Sequence, residues 1–501
     1  MHPKIQELKT RLTEINDLNE ANAVLSWDQM TYMPSGGAEA RGRQMATLEK
    51  LAHEKFTNLE IGKLLDELQP VLKELPPDSA EAALIRITTR DYEKAIKIPS
   101  SFTSKFSEHT SKTYSKWAKA RAEKNFKLVE PFLEKTLDYS RQLANYFPGY
   151  QHIADPLIDD LDEGMTVAII KPIFQKLRAE LIPLVQKTTA QPAPDDSCLR
   201  QEFPEAEQLS FGLKVATKMG YDFNRGRQDK SPHPFTTSFS IGDVRITTRV
   251  KTNNLAEALF STIHESGHAL YEQGINPDFD GTSLATGTSM SVHESQSRLW
   301  ENLVGRSRSF WQYFYPQLQS IFPVQLKAIL FDDFYRVINK VERTLIRTDA
   351  DELTYNLHVM LRFDLETDML EGKLAVKDLP EAWNRRYFND LGVLPPDDSL
   401  GVLQDMHWYS GTIGGYFQSY TLGNILSAQF FEAAEKAHPG IRSEIAAGNF
   451  SNLHNWLEEN IYRYGRQYPA KEIIQRATGR PLEIGPYIQY LKTKYGEIYK
   501  L

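Results

Sequence analysis

Cysteine is almost absent: Cys198 is the one thiol in 501 residues. That excludes an intrachain disulfide and any cluster of thiolate metal ligands. Its neighbours Asp195 and Asp196 disfavour a reactive thiolate, so Cys198 reads as a structural thiol. A basic surplus is also missing. Lys and Arg total 58 against 66 Asp and Glu, a formal net charge of −8. That argues against a general nucleic-acid binder, whose electrostatic footprint is positive. No stretch approaches the roughly 18 consecutive apolar residues of a membrane span. The opening MHPKIQELKTRLTEINDLNE lacks the apolar core and small-residue cleavage site of a secretory signal, so the expectation is a cytoplasmic protein. Fixed-period repeats and low-complexity tracts are missing as well.

What remains is ordinary globular material, 41% apolar and 25% charged, ample for a large core. The dominant pattern is helical. Residues 4–31 contain neither Gly nor Pro, and Ile5, Leu8, Leu12, Ile15 and Leu18 recur at helical spacing. Similar stretches lie near 38–70, 79–96, 101–145, 168–188, 254–273, 290–304, 324–370 and 421–437. The breaks at 33–37, 190–197, 225–234, 276–283 and 394–399 carry turn residues. None has the composition of a flexible linker, so residues 1–501 are expected to form a single catalytic unit with helical subdivisions, mainly α in class. One segment departs from this. FTTSFSIGDVRITTRV, 235–250, is rich in Thr, Val, Ile and Phe around Gly242-Asp243 and predicts a β-hairpin. Asp243, Arg245 and Thr247 alternate onto one face of it, and their polarity suits the lining of a groove. A sheet edge beside a cleft can pair with an extended peptide backbone, although a small structural sheet is the plainer reading.

The sharpest signal is His264-Glu265-Ser266-Gly267-His268. Chance yields about 0.02 such patterns in a chain of this length and composition. Asn254 before the segment, Glu257 three residues later and Gly274 after it predict one capped helix, with Leu255, Leu259, Ile263 and Leu270 as its apolar stripe. Residues four apart stand one turn apart on one face, so His264 and His268 can reach one ion. Glu265 projects about 100° away and can contact a water beside that ion. Catalytic zinc usually takes three protein ligands and keeps one open position. The third ligand is expected from Glu294, 26 residues after His268, with His293 as competitor. A helix from about Ser289 to Val304 would turn Val292, Leu299 and Leu303 to a core and put Glu294, Arg298 and Glu301 on another face. Glu301 and Asp351 are candidates to orient the imidazoles. In thermolysin-like enzymes an Asp follows the glutamate ligand by four residues; here Arg298 stands there, so that likeness ends with the five-residue element.

Beyond it, six elements occur in order across residues 233–408: His233-Pro234-Phe235, Asp243-Val244-Arg245-Ile246-Thr247, the 264–268 element, His293-Glu294-Ser295-Gln296, Ile346-Arg347-Thr348-Asp349-Ala350-Asp351, and Gly401-Val402-Leu403-Gln404-Asp405-Met406-His407-Trp408. They resemble the motifs HPF, DxRxT, HExxH, HESQ, IRxxAD and GxxQDxHW of the M32 metallocarboxypeptidases, typified by the Thermus carboxypeptidase. WDQMTYMPSGGAEAR at 27–41 resembles the family's N-terminal region. One departure is Gln418, where the family often has proline after Gly415-Tyr416-Phe417.

The resemblance implies a mainly α fold with a deep groove, like neurolysin and angiotensin-converting enzyme, a small sheet at the active site and an N-terminal helical portion covering the groove. It implies metal-dependent release of single C-terminal amino acids from peptides with a free C-terminus, one zinc ion per subunit with cobalt as a substitute, and a homodimer. Neither nucleic acid nor membrane is an expected partner.

On this reading His264, His268 and Glu294 hold the ion and Glu265 acts as general base. His407, Tyr416 and Tyr420 are candidate donors to the oxyanion. A guanidinium is the natural grip for the substrate carboxylate, Arg347 first and Arg245 second; Asp351, four residues on along the same helix face, is placed to orient Arg347, the plainer reading being a structural ion pair. His233 either shapes a subsite or is an exposed loop histidine. The competing functions are an oligopeptidase that cuts internally in short peptides and a peptide-binding scaffold with a structural metal or none. Glu265 speaks against the scaffold, because a structural site does not need it.

Overall fold

The computed structural model describes residues 2–501. The chain divides into two compact units, each assembled from three separate stretches. The first comprises Met1–Ile96, Asp195–Ile338 and Ser427–Leu482; the second comprises Lys97–Pro194, Asn339–Leu426 and Glu483–Leu501. Helices dominate both, as the periodicity predicts. Among the described residues no helix is long and apolar enough to cross a membrane.

In the first unit, helix Pro3–Thr31 buries Ile5, Leu8, Leu12 and Ile15 in one cluster with residues of helices Ala38–Phe56, Leu59–Glu74 and Ala80–Ala95. The stretch 38–70 is therefore two helices. Asn58 starts the second by accepting from the Glu60 amide. The hairpin is present as β2, Thr236–Ser240, and β3, Asp243–Thr248, antiparallel with a bulge between Ser238 and Ser240. A third strand, β1, Gln228–Lys230, pairs parallel with β3 and gives the order β1-β3-β2. It falls within the predicted loop 225–234, because Gln-Asp-Lys has no strand propensity and forms a strand only against β3.

The helix carrying the five-residue element spans Leu255–Gln273. Asn254 caps it by accepting from the Ala256 amide. Glu257 does not complete a capping box; its carboxylate takes Arg249 and Lys251 instead. Gly274 ends the helix with φ −85°, outside the left-handed region. It is glycine because of close approach: a Cβ there would stand 2.7 Å from Tyr462 Cβ. Helix Met290–Arg298 follows and continues into a π-helical turn, Leu299–Val304, which buries Val292, Leu299 and Leu303 as the pattern predicts.

In the second unit the stretch 101–145 breaks into helices Ser100–Ala122 and Glu130–Asn145, with Lys124 in the left-handed region at φ 56° and Pro131 opening the second helix. The expected helix 324–370 is also interrupted. Pro323–Leu326 and Phe331–Ile338 are short helices of the first unit, and Tyr355–Leu370 is a long one of the second. Between them, side chains satisfy the backbone in place of helical bonds. Asp351 accepts from the amides of Glu342, Leu353 and Thr354. Gln404 accepts from the Arg347 amide and donates to the Leu345 carbonyl. Gln418 sits near the start of helix Phe417–Ala437, and its amide donates to the Gly415 carbonyl at 2.6 Å, a tie that a proline could not make.

Helix Tyr355–Leu370 is buried almost all round and carries His358, Arg362 and Glu366 on one stripe. Glu366 accepts from Trp408 Nε1 at 2.6 Å. Burial, only partly offset by that bond, raises its carboxyl from 4.5 to about 8. Below the lower value the group is protonated both folded and unfolded. Between the two it ionises only on unfolding, so its contribution to stability falls as pH rises across that window. Glu366→Gln is therefore expected to gain stability relative to the wild type as pH rises from about 4.5 to 8. Urea unfolding at several pH values checks this, and parallel pH profiles for the two proteins would contradict it.

Candidate metal centre

The centre lies within the first unit, and its geometry begins with a glycine. A Cβ on Gly267 would come within 2.7 Å of both the Gln296 carbonyl oxygen and Ser297 Cα. Its absence lets helix Leu255–Gln273 pack backbone to backbone against helix Met290–Arg298. Glu294 is thereby brought to the face where His264 and His268 stand one turn apart. Glu294 Oε2 lies 3.4 Å from His268 Nε2 and 3.8 Å from His264 Nε2. One ligand atom from each of the three residues falls within 4.8 Å of the others. Ligand atoms about 2.0–2.1 Å from a tetrahedral ion stand roughly 3.3–3.4 Å apart, so the spacing fits a small divalent cation. The donor set, two imidazole nitrogens and one carboxylate oxygen, is borderline in softness and suits zinc-like ions.

Each of the three side chains is held from behind. His264 Nδ1 bonds Glu301 Oε2 at 2.9 Å. Arg298 donates to Glu294 Oε1 at 2.7 Å and to Glu301 Oε2 at 3.1 Å, and Arg306 donates to Glu301 Oε1 at 3.3 Å. The predicted shared face of Glu294, Arg298 and Glu301 thus becomes a charge network. With Oε1 held by Arg298, Glu294 offers Oε2 toward the imidazoles. His293, the sequence competitor for the third position, instead meets His268 ring to ring, Nδ1 to Nδ1 at 2.6 Å, and turns Nε2 to Glu272 at 2.8 Å.

Electrostatics follow from burial and pairing. Burial pushes His268 down to about 3, so its ring is neutral with a lone pair to offer. For His264 burial acts in the same direction, but the Glu294 and Glu301 carboxylates outweigh it and raise the imidazole. Burial disfavours the Glu294 anion, yet Arg298 and the imidazoles hold it well below the usual carboxylate range. Glu301 is likewise drawn down to about 2 by His264, Arg298 and Arg306 against its burial. Glu265 goes the other way, raised chiefly by burial. Its Oε2 accepts from Thr236 Oγ1 of β2 at 2.6 Å.

The chain belongs to the M32 metallopeptidases. The profile of that family, carboxypeptidase Taq (M32) metallopeptidase, matches residues 7–495. Carboxypeptidase 1 of Bacillus subtilis is 36% identical over 502 residues, covering all of both chains. Thermostable carboxypeptidase 1 of Thermus thermophilus is 37% identical, with 96% of each chain covered. Among solved structures, the M32 carboxypeptidase of Deinococcus radiodurans superposes with a TM-score of 0.97 at 49% identity over the full length of both chains. This M32 protein is a metal-dependent carboxypeptidase and so acts on peptides.

The other sequence-predicted residues take varied positions. In the first unit, Arg245 pairs through two bonds with Asp243, at 2.8 and 2.7 Å, and its guanidinium lies between the Trp27 and Phe239 rings at 4.4 and 4.8 Å. Thr247 is buried and bonds Ser231 and Phe235. His233 is exposed on its loop. In the second unit, Arg347 donates to Asp405 at 2.7 Å and to the Tyr355 hydroxyl at 2.9 Å. Its partner is not Asp351, because residues 347–349 form a 3₁₀ turn and Asp351 is committed to backbone amides. Asp351 therefore does not orient Arg347. Asp405 also pairs with Arg362 and with His407 Nδ1, whose Nε2 faces the Tyr420 hydroxyl at 3.3 Å. The His407 ring also packs against Tyr416, centroids 5.2 Å apart.

Sequence reasoning missed Gly267, Thr236 and Glu272. A glycine inside a helix costs about 1 kcal/mol against alanine, which itself signals a packing reason. Glu272, four residues beyond His268, extends the histidine stripe by one more turn. Gly267→Ala, favoured by helix propensity alone, is expected to lower stability and to weaken divalent-cation affinity about tenfold or more by wedging the two helices apart. Chelator-competition titration with urea unfolding measures both, and wild-type values for both would refute the packing argument.

Proposed function

We propose that the metal-dependent carboxypeptidase reaction is carried by zinc held by His264, His268 and Glu294, with Glu265 as general base. The observation that carries this reading is the arrangement on helix Leu255–Gln273. Three ligand atoms converge within 4.8 Å, and the intervening Glu265 carboxylate is buried and tied to β2. Cobalt would serve the same donor set.

When bound, the ion polarises the scissile carbonyl and acidifies a water at neutral pH. The residues do the rest. His268 offers a neutral Nε2, and Arg298 keeps Glu294 ionised. Glu265 takes the proton of the attacking water and returns one to the leaving amine; its raised affinity for protons suits both transfers. Thr236 fixes which way that carboxylate points.

The further roles follow the family resemblance. Arg347, followed by Arg245, grips the substrate carboxylate; Asp243 and His233 shape the substrate site; and His407, Tyr416 and Tyr420 donate to the oxyanion. The extended backbone of the substrate pairs along the edge strand β2. The chain works as one catalytic unit in a cytoplasmic homodimer.

Glu265→Gln is expected to lower kcat by at least about a thousandfold while zinc content, by metal analysis, stays at the wild-type level. Undiminished turnover would remove Glu265 from its role. For the carboxylate grip, a short N-blocked peptide and its C-amidated twin are compared by mass spectrometry. The wild type is expected to cleave only the free acid. Arg347→Lys keeps the charge but loses the planar fork, and is expected to raise KM for the free acid about tenfold or more. An unchanged KM would transfer the role from Arg347.

A further inference from the structure

We infer that Glu272 and His293 form a positioning pair that receives the Nδ1 proton of His268 when a cation takes its Nε2, and thereby sets the affinity of the centre for that cation. The inference rests on the proposed ion site and concerns how one of its ligands is prepared.

Two imidazole nitrogens 2.6 Å apart, Nδ1 of His268 and Nδ1 of His293, share one proton. With both rings neutral, two arrangements are possible. In the first, His268 donates from Nδ1, which leaves its Nε2 bare. That is the atom facing Glu294 Oε2, and it is the form a cation requires. His293 then accepts at Nδ1 and carries its own proton on Nε2, which donates to Glu272 Oε1 at 2.8 Å. In the second, His293 donates from Nδ1 and His268 bears its proton on Nε2, where it blocks the cation. His293 Nε2 would then turn a lone pair on a carboxylate oxygen. A cation on His268 Nε2 excludes that arrangement, and the Glu272 carboxylate opposes it too, because acceptor would meet acceptor at hydrogen-bond distance.

Glu272 is built to stay where this selection needs it. It is buried, and the same Oε1 accepts from the Gly287 amide at 3.0 Å and from Thr286 Oγ1 at 3.2 Å. It lies on the same helix face as His264 and His268, one turn further on. The His293 ring is clamped as well. Tyr271 packs on it with centroids 5.2 Å apart, and the Tyr271 hydroxyl accepts from the Thr288 amide. A Cβ on Gly287 would stand 2.7 Å from His293 Cδ2 and 2.9 Å from Tyr271 Cε1. Only glycine lets the 286–288 loop close this tightly over the ring. His264 has the shorter version of the same device, a direct bond from Nδ1 to Glu301. His268 reaches its carboxylate through one intervening imidazole.

The experiment is a Zn2+ competition titration against a chromophoric chelator with purified wild type, Glu272→Gln, His293→Leu and the double variant. It is accompanied by melting curves of the metal-free proteins. Orienting partners of this kind typically contribute about 10–100-fold in metal affinity. The expected result is a loss of about tenfold for Glu272→Gln and more for His293→Leu. The double variant should be no weaker than His293→Leu, since the two residues act in series. Metal-free Glu272→Gln should melt as the wild type does. Wild-type affinity in both single variants would overturn the pair alone. Failure of the wild type to bind Zn2+ would overturn the ion site and the pair with it.

Discussion

The metal centre depends on one close approach, the packing of helix Leu255–Gln273 on helix Met290–Arg298 at Gly267. Two imidazoles one turn apart are easily provided by any helix. Bringing a buried carboxylate to them is harder, because an isolated buried anion is costly. The absent side chain of Gly267 sets the distance, and Arg298 supplies the positive charge that keeps Glu294 ionised there. Remove either and the three donor atoms no longer form a set that a cation would find complete.

From that approach the surrounding polar groups follow in order. Glu301 holds His264 and is itself held by Arg298 and Arg306. Glu272 holds His293, which meets His268. Thr236 holds Glu265 from β2, which gives the small sheet a task in a helical unit. Opposing environments give these carboxylates different characters. Glu294 and Glu301, surrounded by cations, stay charged, whereas Glu265, with burial as its main influence, leans toward its protonated form. A ligand needs the first character and a proton carrier the second.

The second unit applies similar economy to the backbone. Residues 342–354 pass among helices without being one, and Asp351 and Gln404 take over their amides and a carbonyl. This frees Arg347 from a helix face and joins it to Asp405, which also holds Arg362 and His407. Helical periodicity of apolar residues is visible across 324–370, but periodicity is blind to which side chains will satisfy the backbone. That is why one predicted helix resolved into several elements and why the expected Arg347–Asp351 pairing gave way to Arg347–Asp405.

The sequence by itself determined the helical class, the hairpin, the helix carrying His264, Glu265 and His268, and Glu294 as the carboxylate that meets the two imidazoles. Each of these is a local pattern, a period or a spacing, and one helical turn suffices to derive its geometry. Glu301 was also legible as an orienting group, because it shares a face with Glu294. Only the tertiary structure decided the rest. It showed that β1 exists, that Gly267 and Gly274 are glycines for want of space, that His293 stands behind His268, and that Glu272 and Thr236 hold other side chains in place. These are contacts between segments distant along the chain or across a helix–helix seam. Their partners are chosen by packing, which leaves no periodic trace in the order of residues.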